Sequence, residues 1–159
     1  MAGTAGVLLS VVRSGGARDG LARAMMAIRL FDLKGETRSL DEWRGKVLVV
    51  NLWATWCAPC REEIPLFVKL QDEYRERGVQ VIGVAIDRRE KVQAFAREFG
   101  INYPLLLGGV EIVELSRQVG NRVGGLPFTL IFDRSARIVD TILGQLKKHT
   151  LEETLRPVL

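Results

Sequence analysis

The 159-residue sequence predicts a single α/β domain with a mixed central sheet and helices on both faces. Two observations carry that expectation. Two nearly unbroken apolar, β-branched runs, Lys46 to Trp53 (KVLVVNLW) and Val79 to Ile86 (VQVIGVAI), read as strands covered on both faces, and the segment between them places apolar residues at helical spacing. Strand, helix and buried strand make a βαβ unit, whose natural pairing is parallel. Toward the C-terminus, Phe128 to Phe132 (FTLIF) and Arg137 to Leu143 (RIVDTIL) are separated only by DRSA, which suits an antiparallel hairpin.

The helices follow from the same patterning. Between the buried strands, Cys60 to Arg77 repeats Ile64, Phe67, Val68 and Tyr74 on one side and meets Gly78, a natural C′ residue. Glu90 to Phe99 carries Val92, Phe95, Ala96 and Phe99 on one face, with Gly100 to stop it. A shorter helix is expected over Val110 to Val119. The last one opens at Thr150, whose partner Glu153 completes a capping box, and Leu151, Leu155 and Val158 form its apolar side.

The first 27 residues stand apart from this regular pattern. Ala5 to Val12 (AGVLLSVV) is apolar and of signal h-region length, and Ala22-Arg23-Ala24 has the small-x-small form of a cleavage site, but a positively charged n-region is missing. Two readings stay open: the remnant of an export signal or anchor that starts upstream, or a loosely packed N-terminal arm with Ser14 to Gly20 (SGGARDG) as linker. No apolar run of roughly 18 residues or more spans a membrane in this sequence. The domain itself is expected over residues 28–159.

Composition is that of an ordinary globular protein, 47% hydrophobic and 26% charged, with a formal charge of +4. The basic residues are scattered rather than gathered into a stripe with interleaved aromatics, so nucleic acid is not an expected partner.

The two cysteines are the informative feature. They lie together in WATWCAPC, Trp53 to Cys60, where the first buried strand gives way to its helix. A structural staple gains most by closing a long loop, and this pair closes a very short one. A closed zinc site wants four ligands, and the single histidine, His149, lies far away in KKHT. A thiolate at a helix N-terminus meets unpaired N–H groups and the positive end of the helix dipole, which favours ionisation. Cys57 is therefore the expected nucleophile and Cys60, one turn along and more shielded, the resolving thiol. Pro59 fits the first helical turn, where a missing N–H costs little.

WCAPC after a buried strand, Pro65 inside the following helix and Gly-Leu-Pro ahead of a late strand resemble the thioredoxin fold. More narrowly, FDLKGETRSLDEWRGKVLVVNLWATWCAPCREEIP is similar to the TlpA/ResA-like branch of membrane-anchored or periplasmic thiol-disulfide oxidoreductases, which includes cytochrome c maturation proteins. The resemblance implies an N-terminal strand pair over Ile28 to Leu40. It also implies that Pro127 is a cis-proline facing the disulfide and presenting the backbone of Leu126 to an extended substrate. Only about 5–6% of X-Pro bonds in folded proteins are cis, so composition gives no hint of this.

The resemblance also assigns roles nearby. Thioredoxin carries a buried aspartate six residues before the first cysteine. Here Asn51 stands at that place, and it cannot titrate. The TlpA/ResA-like branch has instead a glutamate three residues after the second cysteine, which is Glu63, an implied base for Cys60. Trp56 is expected as an exposed platform beside Cys57, with Trp53 packed beneath. Several members of the branch have an acid between the cysteines; Ala58 replaces it here, which leaves the substrate preference open.

The expected activity is thus protein thiol-disulfide exchange at a periplasmic or other extracytoplasmic site, with membrane anchoring or a cytosolic thioredoxin-like role left open by the chemistry, most narrowly as a reductase in cytochrome c maturation. No cofactor is expected beyond the Cys57–Cys60 pair, and no metal. The expected partners are protein thiols and disulfides, apocytochrome c among them, with a membrane dithiol donor and a monomeric enzyme. The rivals are an oxidase or isomerase running the same steps in reverse, and a copper carrier. A peroxidase of the peroxiredoxin kind is disfavoured because neither cysteine has the Thr or Ser three residues earlier that such enzymes need.

Overall fold

The computed structural model describes residues 5–159, with side chains from residue 15 onward. Seven strands form one sheet: β1 (Leu30–Asp32), β2 (Thr37–Arg38), β3 (Val47–Trp53), β4 (Val79–Ala85), β5 (Leu105–Leu107), β6 (Phe128–Phe132) and β7 (Ile138–Leu143). Their spatial order is β2-β1-β5-β4-β3-β6-β7. The central β5, β4 and β3 run parallel, and every other pair is antiparallel. All seven residues of β3 are buried, as its unbroken apolar run requires of a strand covered on both faces.

Five α-helices cover the sheet: α1 (Ala5–Ala27), α2 (Ala58–Tyr74), α3 (Arg89–Phe99), α4 (Val110–Gln118) and α5 (Lys148–Leu155). On one face, Val47, Val49 and Trp53 of β3 meet Cys60, Ile64 and Phe67 of α2, Val92 and Phe95 of α3, and Leu151 and Leu155 of α5. On the other, Leu48, Val50 and Leu52 meet Met25 and Met26 of α1 and Ile112 of α4. The period of two along β3 thus supplies two separate cores from one strand.

The helix ends follow local chemistry. Gly78 (φ +76°) lies just beyond the last turn after α2, and Gly100 (φ +62°) ends α3; both adopt the left-handed conformation that suits glycine at a helix terminus. The expected strand pair within Ile28 to Leu40 is present as β1 and β2, with Leu30 opposite Arg38.

Two expectations are corrected. Ser14 to Gly20 is not a linker but part of α1, with residues 15–19 exposed and Ala22, Met25 and Met26 buried. Glycines disfavour a helix interior by about 1 kcal/mol each relative to alanine, yet Ala22, Met25 and Met26 anchor this helix in the core, and tertiary burial overrides the local propensity. The small-x-small triplet therefore begins on a core residue. The apolar side chains of Ala5 to Val12 lie outside the described ones. Secondly, Thr150 does not cap the last helix: α5 begins two residues earlier after Lys147, because Leu146 is buried there and Leu151 N–H already bonds to the Lys147 carbonyl. The strand Leu105–Leu107 has no counterpart among the expected elements, because three leucines behind a proline show neither alternation nor turn punctuation of their own.

Candidate active site

The site is built at the carboxyl end of β3. The chain leaves the sheet at Trp53, turns through Ala54–Trp56, and enters α2. Thr55 pins this turn, its N–H and hydroxyl both donating to Asp87 Oδ2, from the loop after β4. Cys57 is the N-cap of α2, and its Sγ accepts from Cys60 N–H at 3.3 Å. The reactive sulfur therefore occupies the position where a helix leaves its first N–H groups unpaired. A disulfide joins Cys57 to Cys60, whose Cα atoms are 5.3 Å apart.

The two cysteines face different surroundings. Cys57 is 6% exposed, with Trp56 (67% exposed), Ala58 and Pro59 open to solvent around it. Cys60 is fully buried. Trp53 lies beneath, buried, its indole 5.2 Å from the Phe95 ring. Phe128 pairs with Leu52 across β3 and β6, which sets Pro127 beside the end of β3. The Leu126–Pro127 bond is cis. Leu126 is half-buried, and Val123 and Leu143 add exposed apolar surface on the same side, both close to Gly125.

One turn inward from Cys60, Glu63 is 1% exposed. Its Oε1 accepts from Asn51 Nδ2 at 2.8 Å and its Oε2 from Leu146 N–H at 2.9 Å. Burial penalises the charged form and pushes the Glu63 carboxyl up to about 7, partly offset by these two donors. Tyr103 is pushed up as well, by its burial first and then by the charge of Glu63. A carboxyl that titrates near neutrality, one helical turn from a buried thiol, is matched to taking and returning a proton at working pH.

Asn51 fits both states of that acid. Its Nδ2 also donates to Thr129 Oγ1 at 3.2 Å, while Oδ1 is buried without a partner. As drawn, the amide donates to a carboxylate. Rotated by half a turn, it offers Oδ1 to a protonated Glu63, and the Thr129 hydroxyl, donor or acceptor, serves either arrangement. An aspartate at this position would instead set two carboxyls at hydrogen-bonding distance.

Every residue expected at the site lies at this end of β3 or on the adjoining Leu126–Pro127 loop, and Asn51 touches Glu63. His149, by contrast, lies exposed on α5. Sequence reasoning missed Leu146, Thr129 and Tyr103, whose roles arise only from the fold. Gly83 carried a signal: a glycine inside a buried strand marks a close approach. A Cβ there would lie 2.6 Å from Leu105 Cδ2, 3.0 Å from Trp53 Nε1 and 3.2 Å from Tyr103 Cε2. The bare backbone at Gly83 is what lets Trp53 and Tyr103 lie across β4. Among the described residues, no group of three or more His, Cys, Asp or Glu is placed to hold a metal ion.

A C-x-x-C disulfide at the N-terminus of α2, directly after the central strand β3 of this sheet, defines a thioredoxin-fold thiol-disulfide oxidoreductase. Residues 21–141 match the AhpC/TSA family, and the chain belongs to that family. It is 33% identical over 132 residues to the thiol-disulfide oxidoreductase ResA of Geobacillus kaustophilus, covering 81% of this chain and 72% of that one. It is 35% identical over 127 residues to the thioredoxin-like protein YneN of Bacillus subtilis, covering 77% and 71%. Among solved structures, a thiol:disulfide interchange protein of the thioredoxin family from Chlorobium tepidum matches with a TM-score of 0.74 at 26% identity, covering 82% of this chain and 92% of that one. These relatives support the TlpA/ResA-like placement.

Proposed function

We propose that this oxidoreductase works as a reductase of selected extracytoplasmic protein disulfides, with apocytochrome c or its assembly partners as the substrate class. The Cys57 thiolate attacks one sulfur of the substrate disulfide, forming a mixed disulfide and releasing the other substrate sulfur as a thiolate. Glu63 takes the proton of Cys60. The Cys60 thiolate then attacks Cys57 Sγ, the second substrate thiolate leaves, and the enzyme holds the disulfide while the substrate has gained two electrons. A partner dithiol returns the pair to the reduced state. Trp56, Ala58, Pro59, Leu126 and Pro127 form the surface on which the substrate segment lies.

The observation that carries this reading is the buried Glu63 carboxyl, one turn beyond Cys60 and held by Asn51 and Leu146. The relatives named ResA support the narrower branch. No helix among the described residues is long and apolar enough to cross a membrane.

Cys60→Ser tests the substrate class. Without the resolving thiol, mixed disulfides at Cys57 persist, and mass spectrometry of the trapped partners should return exported thiol proteins, c-type cytochromes or their assembly factors among them. A set made only of cytosolic proteins would overturn the proposal. A redox titration against glutathione tests direction: a reductase is expected far below the roughly −120 mV of a strong oxidant.

A further inference from the structure

The segment Gly144–Leu146 touches both halves of the site. Gly144 N–H donates to the Pro127 carbonyl at 2.9 Å, on the loop where a substrate segment would lie. Two residues later, Leu146 N–H donates to Glu63 Oε2 at 2.9 Å, inside the core. Just before it, Leu143 is 47% exposed, beside Val123 on the substrate side. The two anchors are separated by a single residue, Gln145, so the chain has almost no slack between them. Gly144 has φ +98°, a left-handed conformation that suits glycine, with open space around its Cβ position.

We propose that Leu146 is a positioning residue for the exchange reaction, and that a substrate linked to Cys57 and lying on the Pro127 loop shifts Gly144–Leu146 and weakens the Leu146–Glu63 hydrogen bond. The proposal rests on Glu63 acting as the base of Cys60. At 2.9 Å that bond sits at its optimum, so displacement in any direction weakens it. A carboxylate that loses an N–H donor in a buried setting holds a proton more tightly. Glu63 thus becomes a stronger base once the mixed disulfide exists, the moment at which Cys60 must give up its proton. Before docking, the intact bond keeps the carboxylate a weaker base and the inner thiol protonated. The titratable groups next to Glu63 are Cys60, one turn back on α2, and Tyr103, from the loop before β5. No Lys, Arg or His forms an ion pair with it among the described residues.

The test is NMR on the Cys60→Ser protein, free and joined through Cys57 to a short cysteine-containing peptide. The Glu63 carboxyl carbon and the Leu146 amide proton are followed across pH. In the free protein both should titrate with one midpoint near 7. In the peptide-linked protein the Glu63 midpoint should rise by about one pH unit, a tenfold change in proton affinity, while the Leu146 amide loses most of its response and exchanges with solvent about tenfold faster. Equal midpoints and an unchanged amide in the two forms would overturn the link and leave Glu63 as base intact. Cys60-dependent kinetics identical in Glu63→Gln and wild type would instead remove the base, and the link with it. Gly144→Ala gives a second route: its strained backbone should raise the Glu63 midpoint in the free protein. If that variant fails to fold, the peptide-linked measurement still decides.

Discussion

Cys57 and Cys60 share one disulfide, but their surroundings are opposite. Around Cys57 stand a solvent-exposed tryptophan, an exposed alanine and proline, and the open N-terminus of α2. Cys60 is fully buried in the apolar core, with Glu63 one turn along α2 and Asn51 bonded to that carboxyl. The outer thiol is activated by fixed backbone dipoles, which act at any pH. The inner thiol depends on a titrating side chain, whose strength comes from burial. One half of the reaction is therefore set by exposure and geometry, the other by proton affinity, and substitutions should separate them.

The largest effect belongs to the outer thiol. Cys57→Ser should reduce insulin- or peptide-disulfide turnover to the uncatalysed level, since Cys60, the other thiol, is fully buried and out of reach of a substrate disulfide. The variant should fold normally, because a serine at the N-cap of α2 is itself a favoured residue there. Retained turnover would reverse the assignment of outer and inner thiol.

Next comes the acid. Glu63→Gln keeps shape and hydrogen bonding, since the Asn51 amide can rotate to meet it. The first attack by Cys57 should stay within about twofold, whereas resolution by Cys60 should slow by about 10²-fold at pH 7–8, the usual worth of a placed general base. Stopped-flow tryptophan fluorescence with single and double turnovers would separate the two steps. Slowing of both to the same extent would mean that Glu63 acts through the structure of the site as a whole.

The same carboxyl leaves a mark on stability. Its folded value, about 7, lies above the unfolded 4.5, so the native state binds this proton more tightly. The stabilisation is fully present below about pH 4.5 and is lost as pH rises through 7, amounting to about 3 kcal/mol over that window. Urea unfolding of the oxidised protein at a series of pH values should show the decline, and Glu63→Gln should flatten it. A flat wild-type profile would mean that Glu63 is ionised throughout and too acidic to serve Cys60.

How much of this was legible beforehand differs between the two halves. The outer half could be read from WCAPC alone, because a helix N-terminus and two cysteines one turn apart are local facts. The central strands and α2 were equally legible from their apolar periodicity. The inner half was not: Glu63 meets Leu146, 83 residues on, only because β7 returns beside β6 and delivers the chain to α2. A backbone N–H carries no side-chain signature that could have marked Leu146. The start of α1 misled for a related reason, since its glycines argue locally for a linker while Met25 and Met26, buried against α4 and β3, decide otherwise. Resemblance supplied the cis bond at Pro127, which no local rule predicts.

The smallest effect should come from Trp56, and it sharpens the contrast from the side of the substrate. With two thirds of its surface in solvent, the indole contributes little to the fold, so Trp56→Ala should change unfolding free energy by no more than about 0.5 kcal/mol. A large exposed aromatic beside a reactive thiol is nevertheless the kind of side chain that anchors a partner, and its loss should lower kcat/KM for a protein disulfide about 5–10-fold. The small thiol reagent that needs no docking surface supplies the control: its rate with Cys57 should be unchanged. If both rates fall together, Trp56 tunes the thiol itself, and the outer half of the site is governed by local electrostatics rather than by contact with the substrate.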